Sequence, residues 1–191
     1  MLKDLVLKNR SYRRFYGDYK IDSQELVDLV ELARNTGYAA NAQALKFMIV
    51  SDDEQNKKVF ETLVWAAALK DWNGPVEEER PTGYIIILCD KTIGTNKQTD
   101  VGIVVQTMML GATEKGLGGC MIGNINRPLL YENFGIDKER YSIELCLALG
   151  KPKEEVHIVD VDETGSVNYY RDKNGVHYVP KRKLEDIIYS L

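Results

Sequence analysis

The sequence predicts an α/β or α+β chain with a layered sheet at its centre. Three features carry this. Helix-period and strand-period segments alternate along the chain; Tyr84 to Cys89 is a continuous apolar, isoleucine-rich run suited to a central strand; and Asp100 to Lys115 is a helical pattern that is apolar on almost every face. The length of 191 residues fits a single domain spanning 1–191, given roughly 150 residues per domain, with enough chain for a sizeable core. There are no fixed-period repeats or low-complexity tracts.

Taken in order, Leu2, Leu5 and Val6 recur at helical spacing and predict a short helix that gives way near Asn9. Asp22-Ser23-Gln24-Glu25 has the spacing of a capping box and opens a second helix with Leu26, Leu29, Val30 and Ala33 on one face, stopping before Gly37. Phe47 to Val50 reads as a buried strand. Asp52 with Gln55 opens a helix carrying Val59, Phe60, Leu63, Val64 and Ala67. From Asp71 to Thr82 the periodicity is lost, and Asn73-Gly74-Pro75 with the acidic run Glu77 to Glu79 marks a loop. That loop is either a mobile cover over a site or a solvated connection with Trp72 tucked into the core.

After the central strand, the helix Asp100 to Lys115 must lie at the centre of the fold or in a subunit interface, because an all-round apolar helix is buried on every side. Leu117 to Ile122 is short and glycine-rich, Pro128 opens a brief helix as its first residue, and Ser142 to Leu149 is another buried strand. Val156 to Asp162 and Val167 to Tyr170 are short strand-like runs. Asn174-Gly175 is a hairpin turn joining Asn168–Arg171 to Val176–Val179. Leu184, Ile187, Ile188 and Leu191 predict a closing helix.

Composition excludes several functions. The chain has 29 acidic and 25 basic side chains, a net charge of -4, 44% hydrophobic and 28% charged residues, as in ordinary soluble domains. No broad basic surface is available for nucleic acid, and no apolar run approaches the roughly 18 residues of a membrane span. The start Met1-Leu2-Lys3-Asp4 lacks the features of a secretory signal, which predicts a cytoplasmic protein. Cys89, Cys120 and Cys146 are odd in number and embedded in apolar runs, which suits buried thiols. His157 and His177 lack cysteines or paired carboxylates at ligand spacing, so no metal site is expected. There is no G-x-S-x-G elbow; Leu117 stands where the lysine of a phosphate-binding loop belongs; and Met121 replaces the last glycine of a dinucleotide fingerprint that would, in any case, follow a helix.

Two basic clusters remain. Arg10-Ser11-Tyr12-Arg13-Arg14 offers planar donors and a hydroxyl that suit a phosphate dianion, and Lys181-Arg182-Lys183 is able to close on the same anion; either cluster is also compatible with a solvated basic face. Asn41 and Gln43, among small neighbours, suit either a flat polar ligand or turn and capping chemistry.

The motif R-S-x-R-x-F at Arg10 to Phe15 is followed by A-x-N-x-Q at Ala39 to Gln43, a buried helix ending in Lys115-Gly116-Leu117-Gly118-Gly119, Leu149-Gly150-Lys151-Pro152 and a basic C-terminal segment. In this order the motifs resemble the flavin-dependent nitroreductase family across nearly the whole chain. The resemblance implies an α+β three-layer sandwich, a mainly antiparallel central sheet flanked by helices, in an intertwined homodimer with flavin mononucleotide (FMN) between subunits. Carried over, it gives Arg10, Ser11 and Arg13 to the phosphate with Lys181 and either Arg182 or Lys183. It gives Asn41 and Gln43 of the other subunit to the ring and ribityl chain, and the backbone of Met121, Ile122 and Gly123 to the neighbourhood of the reactive ring nitrogen. The implied activity is ping-pong hydride transfer from NADH or NADPH to a nitroaromatic, quinone or similar acceptor. The alternatives are FMN binding without turnover, or a related flavin activity such as reductive dehalogenation. The chain departs from the family pattern at Asn9, where many members have arginine, at Met121, where tryptophan is frequent, and at Ala44-Leu45, where Pro-Trp is frequent. It is also short for the family, which leaves 71–82 as the lid candidate.

Overall fold

The computed structural model of the chain describes residues 1–66, 68–69, 71–95 and 97–189. Its elements are α1 (Leu2–Lys8), α2 (Ser23–Arg34), β1 (Leu45–Val50), α3 (Asp53–Phe60), β2 (Gly83–Asp90), α4 (Gln98–Glu114), β3 (Gly118–Ile122), α5 (Arg127–Phe134), β4 (Tyr141–Gly150), β5 (Val156–Asp160), β6 (Tyr170–Arg171), β7 (His177–Lys181) and α6 (Leu184–Ile187). Four strands form an antiparallel sheet in the order β1-β2-β4-β3. The last three form a separate small sheet, β5-β7-β6, whose β5/β7 pair is parallel. The fold is α+β.

The central layer explains the composition of β2. Alternate side chains of a strand point to opposite faces. Ile85, Ile87 and Cys89 join the apolar cluster with α2 and α4, whereas Tyr84, Ile86 and Leu88 join the cluster with α3, α5 and Trp65. With both faces covered, every β2 residue is buried, and the sequence is a continuous apolar run instead of an alternating one. α2 begins where its capping box stands, with Asp22 accepting from the Gln24 N–H at 2.8 Å. Asp52 caps α3, and Asn126 caps α5 with Pro128 in its first turn.

Other expectations are corrected. α3 stops at Phe60 because the following backbone is taken by other partners: the Asn126 N–H donates to the Thr62 carbonyl at 2.7 Å and Leu63 bridges to Ile125. Leu63 is therefore buried outside the helix and Val64 is exposed, while Ala67 lies outside the described residues. β1 is an edge strand, so Phe47, Met48 and Ile49 are only partly buried. α4 buries Val101, Val104, Val105, Met108, Met109 and Ala112, but Gly102, Ile103 and Gln106 face outward. One chain therefore covers a single side of the helix predicted to be buried all round. The run 167–170 contributes only Tyr170 to a strand, because just Tyr170 and Arg171 pair with β7. α6 is four residues long with Leu184 and Ile187 exposed; Leu191 lies outside the described residues.

The 71–82 loop is anchored in its second half. Glu79 is buried and receives Arg14 Nε at 2.5 Å, Arg14 Nη2 at 2.8 Å and Lys153 Nζ at 2.9 Å. These bonds, Arg14's foremost, hold its carboxyl down at about 2 against the opposing effect of burial. Arg80 stacks on the Phe60 ring at 4.0 Å, and Trp72 is half-buried beneath Arg171 at 4.2 Å. This matches the connection reading more closely than a free cover. Among the described residues, no helix is long and apolar enough to cross a membrane.

Candidate active site

The arginine-rich segment is laid across the start of β3 by backbone contacts. Ser11 bridges in parallel to Gly119, the Tyr12 N–H donates to the Gly119 carbonyl at 2.9 Å, and Phe15 bridges to Pro152. The glycines of the two sequence motifs make this crossing possible. A methyl group at Gly118 would lie 2.5 Å from Tyr12 Cδ2, and one at Gly150 would lie 2.6 Å from Cδ1 of the fully buried Phe15. At Gly119 a methyl group would strike the backbone carbonyl of Ala148 on the neighbouring strand, which has no side-chain freedom to yield. Gly119→Ala is accordingly expected to cost about 1–3 kcal/mol in urea denaturation.

This crossing brings Arg10, Ser11 and Arg13 to a cleft of about 350 Å³, joined by Gln106 and Met109 of α4, Met121 of β3, and Tyr169, His177, Val179 and Lys181 of the C-terminal segment. Its charges are unbalanced. Among the described residues, none of Arg10, Arg13 or Lys181 makes an ion pair. Arg10 Nη2 donates to the Val6 carbonyl at 2.6 Å, and burial lowers its pKa. Arg13 Nη1 donates to the Ser11 carbonyl at 3.2 Å, and its guanidinium lies over the Tyr169 ring at 4.6 Å. The adjacent Arg14 is neutralised by Glu79. A second cleft, of about 280 Å³, lies beside α3, but there Lys20 is matched by Asp53 at 2.7 Å and Lys57 by Glu54 at 2.8 Å. The first cleft is the one whose cations are left without carboxylate partners among the described residues.

A buried carboxylate fixes its rear wall. The Glu154 side chain is fully buried; it accepts the Arg13 backbone N–H at 2.9 Å and both Nε and Nη2 of Arg171, at 3.0 and 2.5 Å. His177, also fully buried, places Nε2 3.4 Å from Arg13 Nη1 and Nδ1 3.8 Å from Glu154 Oε1, the latter too long for a hydrogen bond. Burial lowers the His177 pKa, Glu154 opposes the shift, and Arg13 and Arg171 reinforce it, a balance that favours the neutral ring.

Five of the residues singled out in the sequence thus meet at one cleft: Arg10, Ser11, Arg13, Met121 and Lys181. The others do not. Ile122 is buried on the opposite face of the sheet with Cys120, and Gly123 is exposed beyond the strand. Arg182 and Lys183 are exposed outside the cleft lining. Asn41 and Gln43 precede β1, separated from β3 by β2 and β4, so one chain does not bring their amides to the cleft. Their loop is nonetheless strained. Ala40, Asn41 and Gln43 have φ of 51°, 50° and 51°, and Gln43 Nε2 donates to Asn41 Oδ1 at 3.2 Å. Sequence reading missed Glu154, Tyr169, Gln106 and Met109 altogether, and considered His177 only as a metal ligand. The His177 partner Arg13 is 164 positions away, a separation that no local motif spans.

An antiparallel sheet between two helical layers, with a cleft of unpaired cations at the β3 edge, defines a class of α+β proteins, and known proteins show what the chain is similar to. Residues 90–151 match the model of the Nitroreductase family. A Bacillus subtilis protein named as an NAD(P)H nitroreductase, YdgI, is 24% identical over 185 residues, covering 80% of this chain and 88% of that one. An iodotyrosine deiodinase of Thermotoga neapolitana is 27% identical over 136 residues, covering 62% of this chain and 71% of its own. A solved structure from Desulfovibrio desulfuricans, described as a nitroreductase in complex with FMN, superposes with a TM-score of 0.67 at 21% identity, over 80% of this chain and 87% of that one. The chain is thus similar to nitroreductase-family proteins, and its fold is the nitroreductase fold.

Proposed function

We propose that this chain is a cytoplasmic FMN-dependent oxidoreductase that takes hydride from NADH or NADPH and passes it to a nitroaromatic, quinone or similar acceptor by a ping-pong mechanism. The observation that carries the reading is the charge imbalance of the cleft: Arg10, Arg13 and Lys181 converge beside Ser11 with no carboxylate partner among the described residues. That donor set fits the phosphate of FMN, a dianion best held by charge-assisted bonds. When bound, FMN supplies the hydride chemistry, and the protein supplies binding, orientation and electrostatics. In this reading Arg10, Arg13, Ser11 and Lys181 hold the phosphate; the exposed ends of Arg182 and Lys183 add long-range attraction; and Met121, Ile122 and Gly123 carry the backbone past the ring.

The reading needs a second chain. Asn41 and Gln43 reach the ring and ribityl chain only from a partner subunit, in a homodimer that covers the outward side of α4 and the exposed apolar residues of α6. The relatives named as an NAD(P)H nitroreductase and as a nitroreductase in complex with FMN support the donor and the cofactor. The similarity to a deiodinase makes reductive dehalogenation the second reading, to be separated by turnover across a panel of acceptors.

The expected result is a yellow protein, or a colourless one that turns yellow on titration with FMN, whose visible band is bleached by NADH or NADPH under anaerobic conditions. A protein that takes up no FMN would end the proposal. Uptake of FMN without reduction by either nicotinamide would leave only a flavin-binding role.

A further inference from the structure

We propose that His177 is a positioning residue: a neutral imidazole, protonated on Nδ1, that aims Arg13 into the anion cleft without cancelling its charge. A guanidinium can only donate. Since Arg13 Nη1 faces His177 Nε2 at 3.4 Å, Nε2 must be the acceptor, which leaves the ring proton on Nδ1, facing Glu154 Oε1 at 3.8 Å. The opposite tautomer would set two donors against each other.

The surroundings make this arrangement rigid. The His177 backbone N–H donates to the Glu155 carbonyl at 2.9 Å at the start of β7. Tyr169 packs on the imidazole at 5.2 Å between ring centres and also carries the Arg13 guanidinium. The charged groups around the ring are Arg13 from the N-terminal segment, Glu154 ahead of β5 and Arg171 from β6. Glu154 accepts from Arg171 on one oxygen and from the Arg13 backbone N–H on the other, and among the described residues it makes no ion pair with the Arg13 guanidinium. An acidic residue at 177 would hold Arg13 equally well but neutralise it, as Glu79 does Arg14. A neutral acceptor gives orientation while the full positive charge stays available to an anion.

Taking that anion to be the FMN phosphate rests on the function proposed above; the tautomer does not. The first test is therefore nitrogen-15 NMR of the imidazole in the ligand-free wild-type protein near pH 7. The expected signature is one protonated nitrogen, Nδ1, and one unprotonated, Nε2. A ring protonated on Nε2, or on both nitrogens, overturns the inference whether or not FMN binds, and needs no variant to fold.

The second test is FMN affinity in a double-mutant cycle. His177→Phe, which keeps a buried ring but has no acceptor, is expected to weaken FMN binding by about tenfold. His177→Gln, whose amide oxygen accepts from Arg13, should recover most of the loss. In an Arg13→Ala background, His177→Phe should change affinity by less than about twofold, because its effect runs through Arg13. An equal loss with and without Arg13 would overturn the positioning role. Failure of the wild type to take up FMN would instead overturn the proposed function alone.

Discussion

Glu154→Ala is expected to destabilise the protein by about 3–5 kcal/mol, because it breaks a buried ion pair by removing one partner and strands the other. The Glu154 side chain is 0% exposed and that of Arg171 14%, so little water is available to replace the lost carboxylate. The Arg13 backbone N–H loses its acceptor at the same time. Glu154 is also the principal polar tie between the N-terminal segment and the C-terminal sheet, since it bonds Arg13 on one side and Arg171 on the other. The loss should therefore appear as a lower urea midpoint together with poorer closure of the cleft. Glu154→Gln, which retains acceptor capacity without the charge, should fall between alanine and the wild type. If alanine shifted stability by less than about 1 kcal/mol, the carboxylate would not be the tie that its burial and bonds describe.

Why such a residue escaped sequence reading is a matter of distance along the chain. β2 was legible because burial on both faces forces a continuous apolar run within eight residues, and α2 because its capping box is complete within four. The start of α3 was legible for the same reason and its end was not: Phe60 is followed by residues of helical period, and only the bond from Asn126 and the bridge to Ile125, more than sixty positions on, draw the chain away. The glycines of Lys115 to Gly119 and of Leu149 to Pro152 were visible as motifs. Their physical reason, the passage of Tyr12 and Phe15 over the backbone, appears only when the segments meet.

Arg13 and Arg14 illustrate the same limit at the site. As adjacent guanidinium groups they are equivalent to composition and spacing, and the family motif alone separated them. The structure supplies the physical distinction, pairing Arg14 with Glu79 and leaving Arg13 facing a cleft with a histidine, a carbonyl and an aromatic ring.

Arg13→Ala should in consequence weaken FMN binding by about 1.5–3 kcal/mol, roughly ten- to 150-fold, the usual worth of a hydrogen bond to a charged group. Arg14→Ala provides the contrast. Removing it costs the buried Glu79 both guanidinium bonds and leaves it only Lys153, so its main effect should be on stability, with FMN affinity changed far less once the folded fraction is accounted for. Arg13→Lys tests the geometry, since an ammonium keeps the charge but not the planar fork, and should recover only part of the affinity. The two alanine variants are to be titrated with FMN by fluorescence and unfolded in urea side by side. An Arg13→Ala protein with wild-type FMN affinity would remove this arginine from the phosphate site. The free charge would then belong to the solvated surface, and the phosphate would be left to Arg10, Ser11 and Lys181.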